Sequence, residues 1–299
     1  ARSRQCRRRA ALALRWLRCG TQRLEARLRG LRCAWAHRLV AGLKPSTLPD
    51  GAGAVLKREF LKGTSMALTQ AQKTALEAVT TATLTTVLLK KGVRFCYIAG
   101  SNPIVQGDRR RIVGPAFTLR FTPTREDLAT VDSWSSPRST RAAIEEMPEG
   151  CVAVADAMGS KAAGIFGDIL CARMAKKGVA GLVTDGVVRD GAGVIGTGLP
   201  VYCQGYVAPA SVAALNFVGW QETIGCGGVT VVPGDIIVAD ADGAVVIPQA
   251  LLDAVVDAAV EQERLEAWIM EEVGKGVALP GLYPPNAETK ARYEATRKG

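Results

Sequence analysis

The sequence predicts an α/β fold, and two observations carry the prediction. Apolar β-rich runs alternate with helical segments between residues 111 and 203, which is the pattern of strand–helix–strand units. Closely spaced strand runs with Pro-Gly and Asp-Gly turns then follow between 230 and 247. The 299 residues allow one large domain or two small ones, and 48% hydrophobic with 22% charged residues is enough to bury a substantial core.

The elements are predicted in chain order. Thr69 to Lys91 reads as two short helices, with a hydroxyl cap at Thr80 ahead of Leu84, Val87 and Leu88. Arg111 to Thr122 is strand-like, with Gly114-Pro115 marking a bulge or an edge. Pro123 to Pro137 has no strong period and reads as a loop. A short helix, Ser139 to Met147, precedes the turn at Pro148-Glu149-Gly150. Cys151 to Ala157 and Gly181 to Gly186 read as buried strands, and Gly164 to Lys177 as the helix between them. Pro200 to Cys203 is a further short strand. Strands at 230–232, 235–239 and 244–247 lead to a long amphipathic helix, Gln249 to Val273. The proline-containing tail after Gly274 is expected to be loose.

The net charge of +10 is unevenly spread. Residues 1–65 hold 16 Lys/Arg and 3 Asp/Glu, which leaves 22 basic and 25 acidic groups for the rest. An acidic body argues against nucleic acid as its partner, except through the basic leader. The leader reads as an Arg-rich helix, Arg7 to Val40, and a linker, Lys44 to Gly53. Met66 is the first methionine, so residues 1–65 are expected to be non-native or disordered. A targeting presequence and an arm for RNA or anionic lipid are the alternatives. The eight cysteines form no C-x-x-C pair, and the sole histidine, His37, lies in the leader. A zinc site is therefore not expected, and scattered apolar cysteines suit a cytoplasmic protein. No run of 18 apolar residues occurs, so no membrane span is expected.

Chemistry concentrates in one pattern, G-x3-D-x20-R-D, formed by Gly164, Asp168, Arg189 and Asp190. It sets two carboxylates and a guanidinium at element ends in a body without histidine. That combination suits a divalent cation held mostly by oxygen, with arginine beside it for a carboxylate or an enolate. Each residue alone has a plainer reading: a first-turn helix carboxylate for Asp168, a local ion pair for Arg189 and Asp190. The joint spacing favours a site. Without a histidine base, nucleophilic triads are disfavoured. Lys161 is the one candidate for a Schiff base, and reads more simply as a solvated loop lysine. Gly191, Gly193 and Gly196 match G-x-G-x-x-G, but no strand ends at the first glycine and no acid follows at the next strand tip. Gly159 and Gly164 have phosphate-loop spacing, yet Ile165 stands where lysine is needed.

At these residues the chain resembles the RraA-like family of class II 4-hydroxy-4-methyl-2-oxoglutarate/4-carboxy-4-hydroxy-2-oxoadipate aldolases and ribonuclease E activity regulators. Gly114 to Leu119 and Pro233 to Pro248 are also similar to it. The resemblance covers about residues 66–285, leaving a tail at 286–299. It implies a single domain that is an αββα sandwich of the swivelling phosphohistidine-domain type, carrying the basic leader. It implies a homotrimer or homohexamer with sites between subunits, and a small 2-oxo acid substrate. By the family motif, Asp190 would ligate Mg²⁺ or Mn²⁺, Arg189 would contact substrate and stabilise the enolate, and Asp168 would serve proton transfer. Backbone from Gly164 and Gly167 to Ile169 and Leu170 would cradle the substrate carboxylate. Glu266 is the best match for an acid reaching over from a neighbouring subunit, with Glu261 and Glu263 on the same helix. The implied activity is metal-dependent cleavage of 4-hydroxy-2-oxo acids to pyruvate, with oxaloacetate decarboxylation from the same metal-stabilised enolate. A non-catalytic ribonuclease E regulator and a sugar-acid dehydratase are the alternatives. An extended stretch from Arg125 to Pro148, including Trp134, departs from shorter family members and is expected to bear on substrate choice.

Overall fold

The computed structural model describes residues 68–297 apart from Arg109, all within the compact unit Ser65–Gly299. The leader and its predicted helix lie outside the described residues. The fold is mixed α/β, with a central sheet and helices packed against it.

Two short helices open it, α1 (Gln70–Glu77) and α2 (Thr81–Lys90). Thr69 closes a capping box with Gln72, and the Thr80 hydroxyl caps α2 as predicted. The two-residue strands β1 (Tyr97–Ile98) and β2 (Asn102–Pro103) follow, then the long strand β3 (Ile112–Pro123). The loop expected over 123–137 contains a 3-10 turn, Val131–Ser135. Ser139 caps α3 (Thr140–Glu146), and β4 (Val152–Asp156) runs parallel to β3. Helix α4 (Asp168–Lys176), β5 (Gly181–Thr184), α5 (Gly191–Gly196) and β6 (Val201–Cys203) continue the parallel set. Strands β7 (Leu215–Trp220), β8 (Ile224–Cys226) and β9 (Val229–Val231) lead to the β10 (Ile236–Asp240) and β11 (Gly243–Ile247) hairpin. The chain ends in α6 (Leu252–Gly274) and α7 (Ala287–Thr296).

The sheet order is β1-β11-β10-β3-β4-β5-β6-β2, with β7 added beside β3. Strand β3 is the joint of this sheet. Residues 112–115 pair with β10, and pairing with β4 begins at Ala116. Gly114-Pro115 therefore marks a change of partner and not a bulge; the register shift lies at Arg120/Phe121, against β7. Gly114 is required because its Cα lies against the Gly150 carbonyl, where a Cβ has no room. Strands β1 and β2 hold the two ends of the order and are joined by only three residues, so the ends lie close together.

Alternating side chains divide the core into three clusters. Phe117, Leu119, Ala153 and Leu182 face α3 and α4 through Ile144 and Met174. Val238, Val245 and Ile247 face α1, α2 and α6 through Leu76, Leu84 and Val255. Ile112, Ala116, Val154, Val183, Ile237, Ala239 and Val246 meet one another in the third cluster, which the wrapped sheet encloses.

Two sequence expectations are corrected. The helix expected over 164–177 begins only at Asp168, because Gly164 to Phe166 bonds to Val187 to Arg189 instead. The tail is not loose. Helix α7 sets Tyr293 against Trp268 in a tilted contact with ring centroids 5.6 Å apart, pairs Arg297 with Glu261 at 2.7 Å, and sends Arg292 to the buried Glu272. Its prolines lie in the connection to α7, where they interrupt no helix.

Candidate active site

The candidate site is built where two backbone segments approach more closely than side chains allow. Gly164 donates its N–H to the Pro209 carbonyl at 2.9 Å, and Ile165 donates to Val187 at 3.0 Å. Arg189 returns a bond to the Phe166 carbonyl at 2.9 Å. A Cβ on Gly164 would lie 2.5 Å from the Arg189 nitrogen and 2.6 Å from the Val188 carbonyl carbon. Only glycine fits there, which explains the first position of the sequence pattern.

The two carboxylates are seated reciprocally. Asp168 opens α4 and packs on Gly193 of α5; a Cβ on Gly193 would meet Asp168 Oδ2 at 2.7 Å. Asp190 stands immediately before α5, without a capping bond from its side chain, and packs on Gly167; a Cβ there would meet Asp190 Oδ2 at 2.7 Å. Gly191 lies under the Tyr206 ring, at 2.7 Å for an added Cβ. The G-x-G-x-x-G run is thus a short helix whose first two glycines permit close packing, with no dinucleotide loop.

Asp190 adopts a left-handed conformation, φ 52° and ψ 46°. A non-glycine residue there costs on the order of 1 kcal/mol and is held by its surroundings. Arg189 Nε donates to Asp190 Oδ2 at 2.9 Å. Both side chains are more than a third exposed, so the pair contributes at most about 1 kcal/mol to stability. Asp168 Oδ1 accepts from the Ile169 N–H at 2.7 Å, a first-turn contact that complements the helix end.

These groups line a cleft of about 250 Å³. Gly164, Gly167, Asp168, Ile169, Leu170, Arg189 and Asp190 all border it, so the residues that the sequence singled out, apart from Glu266 and Lys161, do come together. Glu266 does not line it. It lies on α6, accepts from Thr83 at 3.3 Å and from Gln262 at 2.7 Å, and borders an apolar hollow with Met270 and Val273. Lys161 is exposed and also stands outside the cleft. Trp134, which the sequence reading named in the 125–148 stretch, borders the cleft, whereas Thr140 and Arg141 of the same stretch were not singled out.

The metal-ligating candidates in the cleft are Asp168 and Asp190. Among the described residues no group of three or more His, Cys, Asp or Glu side chains could hold a metal ion. An oxygen-only donor set with so few protein ligands fits Mg²⁺ or Mn²⁺ that keeps several waters, and does not fit zinc. Gly167 leaves clear the space beside Asp190 Oδ2 that a Cβ would fill. A second carboxylate, Asp185, follows β5 but serves the framework. It is buried and accepts N–H bonds from Ala157, Gly159 and Gly227 at 2.8, 2.9 and 3.1 Å. Burial pushes its pKa up, and those bonds pull it back.

The RraA-like family model, described as Aldolase/RraA, matches residues 81–246, and the chain belongs to that family. The chain is 32% identical over 161 residues to a protein of Halalkalibacterium halodurans provisionally named 4-hydroxy-4-methyl-2-oxoglutarate aldolase, which spans 54% of this chain and 70% of that protein. It is 30% identical over 177 residues to protein DlpA of Legionella pneumophila, covering 59% of this chain but only 28% of DlpA. Among solved structures it is similar to Streptomyces coelicolor RraAS2, described as an unusual member of the RNase ES inhibitor RraA family. The TM-score is 0.60 at 35% identity, over 68% of this chain and 96% of that one. Among the described residues no helix is long and apolar enough to cross a membrane.

Proposed function

We propose that the chain is a divalent-metal-dependent lyase that cleaves 4-hydroxy-2-oxo acids to pyruvate, with oxaloacetate decarboxylation as a second reaction of the same site. The observation that carries this reading is the reciprocal seating of Asp168 and Asp190 beside Arg189 in one cleft. The naming of the Halalkalibacterium relative supports it. In this reading Asp190 holds Mg²⁺ or Mn²⁺, with water in the rest of the shell. The ion supplies an electron sink for the 2-oxo acid. Arg189 binds the substrate carboxylate and stabilises charge developing on the 2-oxo oxygen as the C–C bond breaks. Asp168 receives the 4-hydroxyl proton through a water. The start of α4, from Gly167 to Leu170, offers the positive end of the helix and its backbone N–H groups other than that of Ile169, which Asp168 holds, to the carboxylate.

We read the three-cluster core as an αββα sandwich of the swivelling phosphohistidine-domain type. We further propose a homotrimer or homohexamer in which Glu266 reaches the cleft of a neighbouring subunit, since within one chain it stands elsewhere.

The test is pyruvate release by the full chain from oxaloacetate and from 4-hydroxy-4-methyl-2-oxoglutarate, with Mg²⁺ and then with chelator. Release that needs the metal and is lost in Asp190→Ala is expected. Activity that survives chelation, or unchanged turnover in Asp190→Ala, overturns the reading. A second reading, a non-catalytic ribonuclease regulator, draws on the similarity to RraAS2. The retained Asp190 argues against it, and inhibition of a ribonuclease E at micromolar concentration by a chain without lyase activity would favour it.

A further inference from the structure

Residues 125–138 form a strap whose backbone bonds stay within itself. Leu128 and Ala129 each donate to the Arg125 carbonyl at 2.9 Å. Ser133 donates to Thr130 and Ser136 to Ser133, both at 3.1 Å. Arg125 pairs with Asp127 inside the same turn. Ala129 is the one buried residue of the stretch. Two large apolar side chains stand in water, Leu128 at 48% and Val131 at 62% exposure. The strap is tied down at its two ends, where Thr124 donates its N–H to Ala214 at 3.0 Å and Ser139 caps α3. Between them the links run through long side chains. Arg138 reaches toward Glu222 at 3.7 Å, and Arg141 lies 5.2 Å from the Trp134 ring centroid and donates to the Trp134 carbonyl at 3.4 Å. A segment bonded within itself, poor in buried apolar contacts and anchored at two points can move as a body.

The strap borders a gap. Leu128, Ser133 and Trp134 line a hollow of about 370 Å³ from the strap, and Val212, Asn216 and Val218 line it from β7 and the turn before it. Trp134, Thr140 and Ser211 border both this hollow and the 250 Å³ cleft. The root of the strap is also incompletely bonded. Thr124 Oγ1 is buried without a hydrogen-bond partner, the one such side-chain atom among the described residues. A buried hydroxyl left unpaired is costly, so a shift of the root that gives it a partner is favoured.

We propose that the strap is a lid, which swings about Thr124 and Ser139 into the hollow, carries Trp134 across the mouth of the cleft and closes over the bound ligand. The open arrangement leaves Leu128 and Val131 in water beside an unfilled hollow, and closing removes apolar surface from water. A ligand biases the strap toward closure because Trp134 becomes part of its wall only in the closed state. Closure keeps bulk water from the reacting end of the cleft. That use of the lid rests on the lyase reading, whereas the motion itself does not.

The experiment places one thiol on each wall of the hollow of the full chain, Ser133→Cys with Val212→Cys. Two cysteines join only when their Cα atoms come within about 7 Å. Oxidised glutathione is the oxidant: the two thiols become one disulfide as it is reduced to two thiols. Peptide mass reads the 133–212 link, and calorimetry reads binding of Mg²⁺ with oxalate, a planar stand-in for the pyruvate enolate. Linking in the free chain, faster by about tenfold or more with Mg²⁺ and oxalate bound, is expected. Trp134 emission reads the same motion in the wild-type chain, so the test survives a double variant that fails to fold. Mg²⁺ with oxalate should move that emission to shorter wavelength, and Trp134→Phe should lack the change.

The outcomes separate the lid from the lyase reading. If oxalate binds and pyruvate is released, yet neither the linking rate nor the Trp134 emission responds, the lid falls and the lyase reading stands. If oxalate does not bind and no pyruvate is released, yet the 133–212 link forms, the lid stands and the lyase reading falls. Absence of binding, release and linking overturns both.

Discussion

Replacing Gly164 by alanine tests whether the site depends on backbone meeting backbone. The added Cβ would lie 2.5 Å from the Arg189 nitrogen, 2.6 Å from the Val188 carbonyl carbon and 2.8 Å from the Arg189 Cβ. Relief requires the segments to part by roughly 1 Å, since carbon contacts are comfortable near 3.5–4.0 Å. Parting them strains the bonds from Ile165 to Val187 and from Arg189 to Phe166, now 3.0 and 2.9 Å long. Overpacking costs about 1–3 kcal/mol and each weakened hydrogen bond up to about 1 kcal/mol. The lower chain entropy of unfolded alanine returns about 0.4–1 kcal/mol. The net expectation is a loss of about 2–4 kcal/mol, or a Tm lower by about 5–15 °C for a domain of this size. Arg189 and Asp190 shift with their segment, so turnover falls even at temperatures where the variant is folded. Gly196→Ala is the control: nothing lies within 4 Å of its added Cβ, and it should stabilise by about 0.5–1 kcal/mol. Thermal unfolding and pyruvate release measure both variants. A Gly164→Ala protein within 2 °C of wild type (about 1 kcal/mol or less) and with unchanged turnover would refute the close-approach argument.

Two more outcomes follow from the same geometry. Asp190→Gly relieves a left-handed conformation that costs about 1 kcal/mol, and gives up an exposed ion pair that contributes no more than that. Its stability in denaturant should match or exceed wild type while pyruvate release is lost; a loss of more than about 2 kcal/mol would show that Asp190 is structural. Burial pushes the Cys171 thiol up to about 12, against 9.0 unburied. At pH 8 its thiolate is then on the order of a thousandfold scarcer in the folded chain than in the unfolded one. Alkylation at Cys171, read by peptide mass, should appear only after denaturation; rapid labelling of the native protein would contradict its burial.

The sequence was most readable where a local rule operates. The hydroxyl cap at Thr80, the short helix after Ser139, the strands at 152–156 and 236–240, and the long helix after Pro248 were all visible, because capping and periodicity act over a few residues. It failed where distant contacts override local preference. Gly164 to Phe166 reads as helix, but its backbone bonds instead to residues more than twenty positions away. The tail reads as loose, but aromatic and ionic contacts with α6 hold it as a helix.

By itself, then, the sequence determined the α/β class, the family, and the two carboxylates and the arginine of the pattern that border the cleft. Residue types at fixed spacings encode chemical capacity without reference to distance. Tertiary structure decided why the glycines of the pattern are glycines, and that Arg141 faces the same cleft as Arg189. It also decided that Glu266 stands apart within one chain. Those facts depend on which segments the wrapped sheet brings within a few ångströms, and no local pattern in the chain carries that distance.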